Sequence, residues 1–179
     1  MDGLECSEIM KSMINFGDRY DAEYFTKDYL LMTNLLSHVT TKKLGKLAMP
    51  VSSAFYPAAT HLYSVGDTPF IRCVDCISYP IITTEQDSRF EKIPYDFALE
   101  SKGVSFVNRE DIIVTKVGTP CFASVLQDYS EVALSRTVLG LTKIKEVDPY
   151  YLMVFLRSRY GFNQLFRQRE LTKIGRAHV

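Results

Sequence analysis

The sequence predicts an α+β fold, a β-rich domain followed by one long helix. Two separated segments, GDTPFIRCVDCISYPI at 66–81 and VNREDIIVTKVGTPCFASV at 107–125, each read as a buried strand beside a glycine turn. A third, DPYYLMVFLRSRYGFNQLFRQRE at 148–170, has the spacing of an amphipathic helix.

Taken in order, residues 1–25 form an irregular lead-in with a short helix over 7–14. A helix follows from Thr26 to about Val39. Thr26 is a capping residue type, Asp28 lies where the helix dipole favours a carboxylate, and Leu31 and Leu35 share a stripe. Thr40, Thr41 and Gly45 break that pattern, and Pro50 and Pro57 make 50–60 an extended loop. A strand is predicted over 69–74, bounded by Gly66, Asp67 and Asp75, with a short one over 81–84. Residues 85–103 are polar and contain Pro94, so they read as a loop with a short helix near 95–101. The strongest strand is 111–116, whose β-branched run ends at Gly118. Segments 122–126 and 132–141 complete the β-rich core. Asp148 and Pro149 then start the long helix, as N-cap and first helical residue. Leu152, Phe155, Leu156, Phe162 and Phe166 give it an apolar side, with Arg157, Arg159, Arg167 and Arg169 mostly elsewhere around the cylinder. Gly161 weakens its middle by about 1 kcal/mol relative to alanine, which predicts a bend or a close backbone contact.

At 179 residues the chain has the length of one domain and needs no disulfide or metal staple. No apolar run is long enough to span a bilayer, and the acidic N-terminal segment lacks the order of a signal peptide. A cytoplasmic protein without membrane association is expected. Cys6, Cys73, Cys76 and Cys121 are then reduced, mostly buried small hydrophobes. Cys73 and Cys76, three apart on a predicted strand, would point to opposite faces, so no metal site is expected. The net charge is zero but unevenly spread: residues 1–30 hold seven acids against three bases, and 136–179 hold nine bases against three acids. That balance argues against non-specific wrapping of nucleic acid. The basic C-terminal third permits a localised phosphate-binding face, but on charge alone a solvated helix surface with a basic tail is the reading it favours.

Catalytic motifs are missing. The phosphate-binding, dinucleotide-binding, zinc-protease and nucleophile-elbow patterns do not occur. Val147–Leu152 distantly resembles an amino-methylating motif but has one proline and reads as a helix cap. Asp87 followed by Glu100 and Lys102 has the order of a magnesium nuclease, yet the surroundings of 100–102 are helix-like, and the three would serve equally as solvated surface charge. His38, His61 and His178 are scattered, with no nucleophile beside them.

Several blocks, in order, resemble the target-recognition domain of the specificity subunit of type I restriction-modification systems. Arg19-Tyr20-Asp21-Ala22-Glu23-Tyr24-Phe25 is similar to the family's lead-in, and Lys43-Leu44-Gly45-Lys46-Leu47 to the opening of its domain. Gly66, Pro69-Phe70-Ile71-Arg72 and Asp75 resemble its first strand block; Asp111-Ile112-Ile113-Val114 through Gly118-Thr119 resemble its second. The family often carries glycine near Cys121, so the loop there departs from the pattern. Ala133-Leu134-Ser135-Arg136 is similar to a later strand. Asp148-Pro149-Tyr150-Tyr151-Leu152 with Phe155, Leu156, Ser158, Gly161 and Gln164 resembles the start of the family's long conserved spacer helix.

The resemblance implies a lead-in and helix at 1–39, a DNA target-recognition core at 40–147 and a truncated conserved helix at 148–171. The last residues, 172–179, end in Ile174–Val179, which looks like a translated sequencing adapter, and are expected to be an artefactual tail. It implies no catalytic residue, metal or cofactor on this chain. Its partners would be double-stranded DNA, methyltransferase subunits and a restriction and translocase subunit, the subunits carrying the dependence on S-adenosylmethionine, magnesium and ATP. Arg72, Lys116, Thr119, Ser135 and Arg136 are the candidate DNA-binding or loop-positioning residues; for Arg72 the stronger reading is that it pins its loop through Asp75. Leu152, Phe155, Phe162 and Phe166 are candidates for helix or partner packing, with a short helix and an exposed apolar patch near its end expected. The alternative is a non-catalytic scaffold fragment that binds partners through the C-terminal helix.

Overall fold

Two mixed sheets packed face to face form the core of the chain in the computed structural model, which describes residues 6–11, 14, 22–54, 57–63 and 65–168. The strands are β1 (Met49–Val51), β2 (Thr68–Ile71), β3 (Ile81–Ile82), β4 (Lys92–Ile93), β5 (Ser105–Asn108), β6 (Ile112–Thr115), β7 (Ala123–Leu126), β8 (Glu131–Leu134) and β9 (Val138–Thr142). One sheet has the order β1-β9-β6-β7-β3 and the other β4-β2-β8-β5. Within them β3 and β7, and β2 and β8, run parallel, and the remaining neighbours antiparallel. The α+β class expected from the sequence is what the chain adopts.

The apolar runs follow from burial on both faces of each sheet. Along β6, Ile113 faces the inter-sheet core with Ile71, Val107, Leu126, Val132, Leu134 and Val138. Ile112 and Val114 face the other way, against Leu152, Met153 and Leu156. On the outer face of the second sheet, Phe70, Ile93 and Ala133 pack with Ala59 and Ala98. Gly140, on β9, lies against side chains of the facing sheet. A Cβ there would fall 2.4 Å from Val107 Cγ1 on β5 of the facing sheet and 2.9 Å from Val51 Cγ2 on neighbouring β1, so a larger residue has no room at this position.

The helices are α1 (Lys27–Ser37), α2 (Leu44–Leu47), α3 (Cys73–Ser78), α4 (Tyr95–Glu100), α5 (Pro149–Arg157) and α6 (Arg159–Arg167). Asp148 caps α5 as expected, its carboxylate accepting from Tyr151 N at 2.9 Å, with Pro149 at the first position. The single helix expected over 148–170 is instead two. Ser158 adopts extended backbone (φ −66°, ψ 160°), and its hydroxyl accepts from Gly161 N at 3.4 Å to begin α6. This break brings α6 back over the end of α5: a Cβ on Gly161 would sit 2.2 Å from the Phe155 carbonyl oxygen. The close backbone contact read from Gly161 is therefore present, and the bend lies three residues earlier.

Other boundaries also differ. The strand expected over 69–74 stops at Ile71, because the Asp75 carboxylate accepts from Arg72 N at 2.8 Å and starts α3. Cys73 and Cys76 consequently sit on a helix rather than a strand. The strand expected over 81–84 ends at Ile82, where Thr83 begins a 3-10 turn, Thr84–Arg89. Gly45 lies within the single turn of α2, and β5 forms where no strand was expected. Residues 132–141 divide into β8 and β9 at a turn over 135–137. The lead-in residues 19–21, part of the helix expected over 7–14, and the tail 172–179 lie outside the described residues. Among the described residues no helix is long and apolar enough to cross a membrane.

Candidate nucleic-acid interface

Strand direction gathers five connections at one end of the two sheets. β2 runs parallel to β8, so Arg72 and Cys73 emerge beside Ser135. β6 pairs Thr115 with Val138, which sets residues 116–119 against the turn at 135–137. β1 leads into Ser52 and Ser53 at the same end, because Val51 pairs with Gly140. β5 begins there too, Ser105 lying opposite Leu134.

Thr137 is the hub of this end. Its carbonyl accepts from Lys116 N at 2.9 Å and Val117 N at 3.2 Å. Its hydroxyl accepts from Cys73 N at 3.2 Å and lies 3.0 Å from Ser135 Oγ. Three connections distant in sequence are thus fixed to one residue. Ser53 fixes a fourth and a fifth: its hydroxyl donates to Leu134 O at 2.5 Å and accepts from Ser105 N at 2.9 Å. The loop after β6 is closed by Thr115, whose hydroxyl donates to Thr119 O at 2.7 Å and accepts from Phe122 N at 2.9 Å. Cys121 completes that loop with φ of +76°, a conformation that favours glycine. Cys121 is thus a cysteine in a glycine-like backbone, buried and held by its amide on Thr115 O at 2.8 Å.

The expected DNA-facing residues divide by exposure. Lys116, Thr119 and Arg136 face solvent at the loop end. The Lys116 ammonium donates to Ser52 Oγ, and partial burial lowers its pKa from the ordinary lysine value. Ser135 is buried, and its hydroxyl accepts from Thr137 N at 3.2 Å within the turn. Arg72 lies against its own loop. Its Nε is 3.6 Å from Asp75 Oδ2, its Nη1 is 3.5 Å from Glu91 Oε1, and its guanidinium sits 6.0 Å from the Tyr63 ring centre. Burial raises the Asp75 pKa, opposed by the Arg72 amide and guanidinium. The pinning alternative is the one the geometry displays. Thr137, Ser52 and Ser53 were missed, since a hydroxyl residue in a short turn carries no sequence pattern. Lys102, exposed in the connection that leads to β5, was weighed only as part of Glu-x-Lys.

Arg157 and Arg167 serve the fold. Arg157 donates to Ala123 O at 2.6 Å and Cys76 O at 3.2 Å and stacks near Phe122. Arg167 lies 3.8 Å from the Tyr24 ring centre and donates to Tyr24 O at 2.7 Å, while Arg159 pairs with Asp28 at 3.3 Å. Leu152 is buried on the sheet, Phe155 packs beside it, and Phe162 lies between Phe122 and Phe166 at ring separations of 5.7 and 5.5 Å. Phe162 and Phe166 are half-buried, while Tyr151 and Val154 face solvent.

The nuclease-like trio is not assembled as a strand pair. Asp87 is tied to Lys92 and to the Tyr129 hydroxyl at 2.8 Å, and Glu100 ends a helix at the surface. Among the described residues no group of histidine, cysteine and carboxylate side chains is placed to hold a metal ion. None of the four cysteines forms a disulfide, and burial pushes the Cys76 thiol up to about 12.

The chain is similar in structure to the HsdS subunit from Thermoanaerobacter tengcongensis, with a TM-score of 0.49 and 14% sequence identity over 77% of this chain and 34% of that one. It is also similar to a chain from a type I R-M system described for its complex assembly and conformational transition, with a TM-score of 0.47 and 13% identity over 72% and 33%. The chain thus spans about a third of the length of these solved chains. Neither a protein-family model nor a curated protein matches it.

Proposed function

We propose that this chain is a sequence-specific DNA-recognition domain of the type I restriction-modification specificity kind. It reads part of a duplex target and directs methyltransferase and restriction subunits that carry the chemistry. The observation that supports this reading most is the convergence of the loop at 116–119 and the turn at 135–137 on Thr137. These are two of the segments that carry the sequence resemblance, and they meet with Lys116, Thr119 and Arg136 facing solvent. Lysine and arginine there would meet phosphates and fix register. Arginine and hydroxyl groups would read base edges, as phosphate contacts position and base contacts specify. The domain itself needs no cofactor for that role.

Affinity selection from a random duplex pool tests the reading. An enriched sequence is expected. Lys116→Gln should weaken enriched and random duplexes about equally and lower the salt slope by roughly one. Failure of the chain to retain any duplex, or retention without enrichment, would overturn sequence-specific recognition.

A further inference from the structure

A second basic surface lies at the other end of the five-stranded sheet. Lys42, Lys43 and Lys46 surround the turn of α2, just before β1, and Lys143 and Lys145 follow β9. β1 and β9 are paired, with Met49 opposite Thr142, and Lys145 N donates to Leu47 O at 2.9 Å. The strand register thus draws lysines a hundred residues apart in sequence to one sheet end. All five are exposed. Asp111 and exposed Glu110 lead into β6 at this end, the Asp111 carboxylate accepting from the Lys143 amide, and Glu146 lies among the lysines. It pairs with Lys42, and the charge of Lys145 further holds it below the ordinary value. Lys43, Lys46 and Lys143 add positive charge beyond that pair.

We infer that this lysine cluster is a sequence-independent phosphate-contact surface, on which the duplex rests beside the reading loops. The inference builds on the DNA-recognition reading. Edge strand β1 links the two regions: it leaves α2 at Ala48 and reaches Ser52, the partner of Lys116. At roughly 3.3 Å per strand residue, Ala48 and Ser52 lie about 13 Å apart along this strand. Each DNA strand carries one phosphate per about 3.4 Å of axis, so this is the reach of about four phosphates. Pro50 and the three-residue length of β1 keep the edge from recruiting another strand, which leaves charge as its means of contact. Lysine suits such a role as a point charge on a flexible stem, without the fork that favours a single bidentate geometry.

The test is the Lys43→Gln, Lys46→Gln double variant of the full chain, measured by duplex binding across a salt series. Both the selected duplex and one of random sequence are used, with circular dichroism to show that the fold is kept. The expected result is a slope reduced by about 0.9 for each phosphate that the variant no longer neutralises, with the ratio of selected to random affinity unchanged. An unchanged slope where the wild type binds duplex would overturn this inference alone and direct attention to an acidic protein surface as the patch's partner. A changed affinity ratio at unchanged slope would also overturn it. A wild-type chain that binds no duplex would overturn the recognition reading and this inference with it.

Discussion

Replacing Thr137 with valine removes one hydroxyl from the centre of the loop end at nearly constant volume. The interactions removed are the bond from Cys73 N at 3.2 Å and the approach to Ser135 Oγ at 3.0 Å. The carbonyl that holds Lys116 and Val117 remains. A neutral hydrogen bond contributes about 1 kcal/mol net, so the two together put the destabilisation near ~2 kcal/mol. For a chain of this size that lowers Tm by about 4–8 °C. The effect on binding should be selective. The phosphate contacts proposed for Lys116 and Arg136 would persist, so affinity for random duplex should scarcely move. Affinity for the selected duplex should fall about tenfold, equivalent to ~1.4 kcal/mol, because base contacts demand a fixed register between loops. Thr137→Ser keeps the hydroxyl and should restore the affinity ratio. Thermal denaturation and competition binding on the two duplexes read out both effects. An unchanged Tm with an unchanged ratio, or equal weakening on both duplexes that serine fails to rescue, would refute the positioning role.

Two further perturbations test the packing and the charge of the core. Gly140→Ala places a methyl against Val107, which is fully buried, and Val51; an overpacking cost of about 1–3 kcal/mol exceeds the ~0.5–1 kcal/mol recovered by removing a strand glycine. A lowered Tm is expected, and an unchanged one would show that the sheets can separate without penalty. Lys92 holds Asp87 below the ordinary carboxylate pKa, helped by the Tyr129 hydroxyl and opposed by slight burial. The folded state therefore binds this proton less readily than the unfolded chain. Its contribution is full above the ordinary value and is lost as pH falls through the lowered one. Asp87→Asn should be less stable than wild type at neutral pH, by a small amount because the site is partly solvated, and the gap should close in acid. Urea denaturation at the two pH values measures it; a gap that persists in acid would assign the loss to packing.

The elements legible in the sequence were those specified locally. Asp148 and Pro149 start a helix through one side chain and one fixed torsion, and the β-branched run at 112–115 is apolar because both faces are covered. The elements that were not legible depend on partners distant in sequence. Only Val107 of β5 is fully covered, so its sequence carries no apolar run, and it becomes a strand by pairing with β8, which only the fold supplies. The end of β2 turned on Asp75 capping Arg72, which competes with a strand pattern that continues through Val74. At the candidate site the exposed Lys116, Thr119 and Arg136 stood in recognisable blocks. Thr137 did not, because its importance comes from three connections that meet only after both sheets form.

The arginines of the C-terminal third show why a local excess of charge does not locate a phosphate surface. Arg157 reaches beneath Phe122 to carbonyls on β7 and α3, where its multiple donors satisfy groups from two elements at once. Partial burial lowers its pKa, yet from so high a starting value that the group stays charged at neutral pH. Presenting it to DNA would leave the Ala123 and Cys76 carbonyls to find other donors. Arg167 is similarly engaged by Tyr24 and Thr33. Arg159 is different, since its pair with Asp28 is exposed on both sides and contributes little, but it lies on the helical side of the molecule. The exposed lysines at the two sheet ends carry no comparable internal duty, apart from Lys42 and its surface pair with Glu146 and the Lys116 bond to Ser52. Removing a lysine should therefore change binding while sparing the fold, and removing Arg157 should damage the fold before binding can be measured. That asymmetry, rather than the count of basic residues, is why the proposed phosphate contacts are assigned to the loop end and the α2 turn.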